Sequence, residues 1–428
     1  MPNQKLIQRV KRIAERIEIL AHVSEEPNNL VRTYGSQALD RANQLVVEWM
    51  QAAGLKTTID TIGNVRGRLP ATNNSNKVFV MGSHLDTVKN AGKYDGPLGL
   101  LIALDVVEEL GKTHKYRPFN IEVVGFCDEE GVRFTTTYLG SSALSNTFQE
   151  SWLDLRDDAG ISLAEVIQEK GGDVQKIQEE SLSSDECLGY YEVHIEQGPV
   201  LENETISVGV VTSIAAQTRV DLRFIGKAGH AGTTPMDARQ DALCAAADFI
   251  TAVENYSKLS DQEITATVGK LTVEPNVSNV IPNEVHCSLD LRSPNNQGMY
   301  LALEELEGIT ANFCEKRKID FKWTVLQQNE AVFFDPYLYK LLEEAVLEVG
   351  MPKLVRLTSG AGHDAVALSP IMPVSMLFIQ CKDGISHHPD EFVAFEHIKD
   401  GVCVSDCFVA QLIASYQKQP ILQTTINS

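Results

Sequence analysis

Val78-Phe79-Val80-Met81-Gly82-Ser83-His84-Leu85-Asp86-Thr87 sets the reading of this chain. Val78 to Met81 is a short apolar run typical of a buried strand, and it ends directly in a His and an Asp two residues apart. Three further apolar runs match it: Asn120 to Phe126, Tyr190 to Ile195 and Val374 to Ile379. Helical patterns lie between them at Gly96 to Leu110 and Pro336 to Val349, and after them at Phe395 to Ser415. Two more helices are read upstream. One is amphipathic, from Lys5 to Leu20, with Leu6, Val10, Ile13, Ile17 and Leu20 on one stripe. The other runs from Gln37 to Ala53 and stops at Gly54. Buried strands alternating with helices predict an α/β domain with a parallel or mixed sheet.

Between Ser213 and Glu330 the pattern changes. Arg219 to Ile225 alternates polar and apolar residues, as half-exposed strands do. A helix follows from Asp237 to Asn255, then strands at Thr265 to Val273 and Glu284 to Arg292, a helix from Gln297 to Lys316, and a strand from Asp320 to Leu326. The order β-α-β-β-α-β predicts an inserted α+β ferredoxin-like unit. The expected division is residues 1–212 with 331–428 for the α/β domain, and 213–330 for the insert. The last segment, Gln417 to Ser428, is polar and is expected to fray.

Composition limits the function. The chain has 428 residues, 37 Lys+Arg and 58 Asp+Glu, a net charge of −21. That excess argues against nucleic acid or an anionic membrane as partner, because both need a basic surface. No signal peptide is read in MPNQKLIQRVKRIAERIEIL, and the most apolar stretch, Leu98 to Val107, is broken by Asp105, so a cytoplasmic protein is expected. The eight cysteines form no CxxC pair and are expected to be reduced thiols, with Cys403 and Cys407 in the core. No GxGxxG follows a strand near the N-terminus, which speaks against a dinucleotide-binding dehydrogenase.

Five clusters of potential ligands lie at strand ends or in adjoining loops: Gly82 to Thr87, Tyr94-Asp95-Gly96, Cys127 to Gly131, His194 to Pro199, and Ser386 to Glu391. Taken singly, each has a structural reading. Asp95 could be a helix N-cap, the Glu129-Glu130 pair a solvated face, and His387-His388 a surface turn. Together at the strand ends of one α/β sheet they could converge at its C-terminal edge, where such folds carry active sites. Mixed imidazole and carboxylate donors suit Zn, Mn, Co or Ni, and a carboxylate beside them can act as general base.

GSHLDTV, KYDGPLG, DEEGVRF, HIEQGPVLE, GHAGTTPMDAR, NVIPNEVHCSLDLRSP, SGAGHDA and SHHPDEF occur in that order, from about Arg32 to Phe395. This series resembles the M20-type dinuclear metallohydrolases. Within them it resembles the amidohydrolase branch that holds allantoate amidohydrolase, N-carbamoyl-L-amino acid hydrolase and β-ureidopropionase. The resemblance implies a zinc-peptidase-like catalytic α/β/α domain, a lid domain that also forms a homodimer, and two divalent metal ions per subunit. It implies His84, Asp95, Glu130, His194 and His387 as ligands, with Asp95 bridging and His388 a bystander. Glu129 would be the general base and Asp86 would orient His84. His230 would donate to the oxyanion, and Gln197, Asn279, Arg292 and Gly362 would bind the substrate with it.

The HIEQGP form, with His194 where related dipeptidases and aminopeptidases have an acid, marks the ureido-hydrolysing branch. The substrate implied is a small ureido acid, allantoate first, with an N-carbamoyl amino acid as the alternative. Asp128 and Asn283 depart from the commoner pattern, Glu and Gly. Without the resemblance, Arg292 reads as a strand-end salt bridge, Asn279 as a turn residue and His230 as a loop histidine between glycines. A non-catalytic binding protein of the same fold would have lost a ligand or the base, and here all are present.

Overall fold

The computed structural model describes residues 2–418. From position 419 on, the tail expected to fray lies outside the described residues. The chain divides into two compact units. The first takes Met1–Thr212, Phe334–Leu357 and His363–Ser428, and the second takes Ser213–Phe333 and Thr358–Gly362. Residues 331–333 and 358–362, assigned to the α/β domain from sequence, thus group with the second unit.

In the first unit the four apolar runs are adjacent strands. Asn120–Phe126, Val78–His84, Cys187–Ile195 and Val374–Ile379 lie side by side in that order, and all are parallel. Their residues are buried almost throughout, as strands covered on both faces must be. Antiparallel strands flank this centre. Val65–Leu69 and then Lys56–Ile59 lie on one side, and Val208–Ile214 lies on the other. These three were not read from sequence. Lys56–Ile59 and Val65–Leu69 are short and partly exposed, whereas Val208–Ile214 is an almost wholly buried strand.

Helices Pro2–Ala21, Gln37–Ala52, Pro97–Thr113, Pro336–Glu348 and Phe395–Lys418 supply the rest of this core. Of the expected stripe, Val10, Ile13, Ile17 and Leu20 are buried and Leu6 is half-buried. Pro97–Thr113 is buried nearly all round, because it packs against the sheet, the N-terminal helix and the C-terminal helix. Of its two buried acids, Asp105 is tied to Arg9 at 2.7 Å and Glu108 lies 3.3 Å from Arg12. Cys403 and Cys407 are half-buried, and Cys407 packs against the core. They flank a groove beside the N-terminal helix. All eight cysteines are free.

The second unit has one antiparallel sheet with its own apolar core. Ala216–Ile225 lies between Glu284–Ser293 and Asp320–Asn329. The strand expected at Thr265 to Val273 is two pieces, Thr265–Thr267 and Leu271–Glu274, both paired with Glu284–Ser293. Helices Ala242–Leu259 and Asn296–Arg317 cover one face. Asp241 starts the first helix by accepting the N–H groups of Leu243 and Cys244. The strand order is the ferredoxin-like one. A small ladder joins Gly229–His230 to Val280–Ile281. Among the described residues no helix is long and apolar enough to cross a membrane.

Candidate metal centre

Parallel strands end together, so the residues following them are neighbours. His84 ends one central strand in register with Phe126, the last residue before Cys127 to Glu130. His194 lies opposite Phe378 on the next pair. The Tyr94-Asp95 loop leads into the Pro97–Thr113 helix, whose N-cap is Gly96 and not Asp95. Gly96 has φ +81, and a Cβ there would lie 2.5 Å from His84 Cε1, so only glycine lets the loop close on that ring.

Asp95 is the hub. Its Oδ1 lies 3.1 Å from His194 Nε2 and 3.5 Å from His84 Nε2. Its Oδ2 lies 3.0 Å from His387 Nε2, and the same His387 nitrogen is 3.2 Å from Glu130 Oε1. The donors therefore fall into two sets that share Asp95: His84, Asp95 and His194, and Asp95, Glu130 and His387. His388 pairs instead with Asp390.

The outer ring nitrogens settle the tautomers. His84 Nδ1 is 3.0 Å from the main-chain carbonyl of Asp86, and His194 Nδ1 is 2.9 Å from that of Ile195. A carbonyl only accepts, so each Nδ1 carries a hydrogen, and each ring when neutral turns its Nε2 lone pair inward. Those two nitrogens are 3.5 Å apart and both face the buried carboxylate oxygen Asp95 Oδ1. Acceptors aimed at one another in a buried site call for a cation between them. The surrounding charge points the same way, since Asp86, Asp95, Asp128, Glu129, Glu192 and Asp364 are all buried. The donor set thus fits divalent ions of the Zn, Mn, Co and Ni kind.

Asp86 works differently from expectation. Its carboxylate stands 3.8 Å from His84 Nδ1, so the ring is oriented by the Asp86 main-chain carbonyl. The carboxylate turns to the neighbouring loop and accepts the N–H groups of Glu129 and Glu130. Asp128, just before, takes a left-handed φ of +53, which bends the chain sharply at the strand end. Glu129 is buried, and burial pushes its carboxyl well above the usual carboxylate range, against the pull of His84 and with a further push from Glu130.

Gln197 does not stand free. Its Nε2 donates to Asp95 Oδ2 at 2.9 Å and to Ser386 Oγ at 3.2 Å. Sequence reasoning missed several residues that meet the cluster. His363 stacks edge-on against His194, with ring centroids 4.5 Å apart. Glu192 groups with His194 and His363, and Ser83 Oγ donates to it at 2.9 Å. Glu391 accepts the N–H groups of Tyr94 and Asp95. The SGAGHDA and SHHPDEF motifs contain His363 and Glu391, so a signal was there to follow.

In the second unit two expected residues, His230 and Asn279, lie in or next to the paired strands of the small ladder. The His230 and Val280 backbones are partners in the small ladder, and Ala231 N–H donates to the Asn279 carbonyl at 3.0 Å. Gly232 N–H donates to His230 Nδ1 at 3.1 Å, which leaves Nε2–H of that exposed ring as a donor. Arg292 is held by Asp290, Nε to Oδ1 at 2.8 Å and Nη2 to Oδ2 at 3.1 Å, while Nη1 donates to the Gly360 carbonyl. That last bond brings Arg292 to the 358–362 segment, which carries Gly362.

Residues 80–411 match the model of peptidase family M20/M25/M40. Allantoate deiminase of Arabidopsis thaliana is 38% identical to this chain, over 88% of this chain and 78% of that protein. N-carbamoyl-L-amino acid amidohydrolase of Geobacillus stearothermophilus is 36% identical, over 89% and 93%. A crystal structure of a hydantoinase/carbamoylase-family amidase from Burkholderia multivorans superposes with a TM-score of 0.88, at 31% identity, covering 96% of this chain and 98% of that one.

Proposed function

The chain belongs to peptidase family M20/M25/M40, and from that membership we propose that it is a metal-dependent amidohydrolase that removes the carbamoyl group of a small ureido acid. Allantoate is the substrate for which several of its relatives are named. An N-carbamoyl-L-amino acid is the second reading, supported by a relative of nearly equal identity. The observation that carries the chemistry is the division of Asp95, one oxygen toward His84 and His194 and the other toward His387.

His84, Asp95 and His194 would hold one divalent ion, and Asp95, Glu130 and His387 a second. When bound, such ions lower the pKa of water and polarise a carbonyl as Lewis acids. Glu129 takes the proton of the attacking water, a task suited to a buried carboxyl whose proton affinity is raised. It then returns that proton to the leaving nitrogen as the C–N bond breaks. His230, through Nε2–H, donates to the developing oxyanion. Arg292 takes the substrate carboxylate on the two N–H groups that Asp290 and Gly360 leave open. Asn279, Gln197 and the Gly362 backbone complete the recognition. The products are an amine, ammonia and carbon dioxide, the amine being ureidoglycine when allantoate is the substrate. A homodimer formed through the second unit belongs to the same reading.

The test is ammonia release from allantoate, N-carbamoyl-L-methionine and β-ureidopropionate, on one preparation restored separately with Mn, Co, Ni and Zn. Turnover of allantoate above the others is expected. Preference for N-carbamoyl-methionine would install the second reading, and dipeptide cleavage without ureido cleavage would sink both.

A further inference from the structure

Glu391 lies 296 positions beyond Asp95 in the chain, yet one carboxylate joins the loops that carry Asp95 and His387. Oε1 accepts the N–H of Tyr94 at 2.8 Å and of Asp95 at 3.1 Å. Oε2 accepts from Ser386 Oγ at 3.1 Å, and Ser386 is the residue before His387. The same Ser386 hydroxyl lies 2.8 Å from Asp95 Oδ2, so its hydrogen is shared between the two carboxylates. Gln197 closes the ring by donating to both Asp95 Oδ2 and Ser386 Oγ. Glu391 is buried, 3% exposed. Gly92 leaves no slack, because a Cβ there would sit 2.2 Å from Glu391 Cδ. Phe392, the next residue, meets the Tyr94 ring edge-on.

We propose that Glu391 is a positioning residue that holds the Asp95 and Ser386-His387 loops in register, and so sets the affinity of the ion held by Asp95, Glu130 and His387. The inference rests on the two-ion reading given above. A bridging carboxylate must present both oxygens at once, and a small shift of either loop misaims one of them. His84 and His194 stand on strands and keep their place without help. Asp95 and His387 stand on loops, and His387 has a left-handed φ of +55, so their mutual position has to be fixed from outside. Hydrogen bonds to a buried carboxylate are the strong, directional kind that do this.

The experiment compares wild type with Glu391→Ala, Glu391→Asp and Glu391→Gln by competition of Mn and Zn against a chelator, and by the melting temperature of the cation-free protein. Glutamine keeps an oxygen for the two N–H groups and an N–H for Ser386 Oγ, and should bind both ions within a few-fold of wild type. Alanine loses every bond and aspartate is too short, so both should bind one ion roughly 10–100-fold more weakly. The other ion and the cation-free melting temperature should change little. Wild-type affinity for both ions in the alanine variant overturns the inference. Equal weakening of both, with a lowered cation-free melting temperature, also overturns it, since that is general loosening of the fold. A wild-type chain that takes up fewer than two ions, with Asp95→Ala no different, fails the two-ion reading itself and this inference with it.

Discussion

The carboxylate of Asp86 holds the main-chain N–H of Glu129 at 3.0 Å, and its other oxygen holds that of Glu130 at 3.1 Å. Asp86 is buried, so these bonds are not shared with water. Replacing it with alanine strands two buried N–H groups and frees the loop that carries a proposed ligand and the proposed base. Asp86→Ala is expected to lose roughly 10–100-fold in metal affinity, and turnover of the remetallated protein should fall too. Metal content after dialysis against a buffered chelator measures the first. Wild-type affinity and turnover would show that the clamp is dispensable.

Glu129 groups by distance with His84 and Glu130 as a potential ligand set, so its role as base has a competitor. Glu129→Gln separates them. A base converted to an amide leaves two bound ions and lowers kcat about 10²–10⁴-fold. A ligand so converted loses an ion along with the rate. Metal counting beside single-turnover kinetics distinguishes the two, and unchanged turnover would remove Glu129 from the mechanism.

Asp290 occupies the Nε–Nη2 edge of Arg292 and fixes which way the rest of the guanidinium points. Asp290→Ala should raise KM for a carboxylate-bearing ureido substrate about tenfold or more, the worth of a misaligned charge-assisted hydrogen bond. The corresponding amide substrate should be affected far less. Equal changes for acid and amide would assign the Asp290–Arg292 pair to stability alone.

In the cation-free protein His387 is raised to about 10, by its hydrogen bonds to Asp95 and then to Glu130. An imidazolium has no lone pair to offer, so an incoming ion expels that proton, and metal affinity rises with pH. About one proton should leave His387 on binding near pH 8. Titration calorimetry in two buffers of different ionisation enthalpy reads it, and His387→Ala should lack it. The stability of the chelated protein runs the other way. A raised histidine pKa stabilises fully below its ordinary value near 6.5, and the contribution is lost as pH rises toward about 10. Proton release equal in wild type and variant would place the proton elsewhere.

The parallel centre of the sheet was legible because each of its strands is an apolar run that ends in polar chemistry. Val78 to His84 and Asn120 to Phe126 are buried on both faces, and such strands need no alternation to be found. The ferredoxin-like unit was legible for the opposite reason. Glu284–Ser293 alternates residue by residue, and the burial pattern follows it. The flanking strands were not, since Lys56–Ile59 is mostly exposed and Val65–Leu69 takes its inner partner, Ile121 to Gly125, from far along the chain.

The sequence by itself determined which residue types reach the sheet edge and in what order, because a strand's last residue and the loop behind it travel together. Only the tertiary structure decided how they are divided. Asp95 turns one oxygen to each donor set, the Asp86 carboxylate serves the Glu129 loop and not the His84 ring, and Glu391 ties two loops that the sequence keeps apart. These are matters of side-chain direction at distances near 3 Å, set by the packing of segments remote in sequence. No local spacing encodes them.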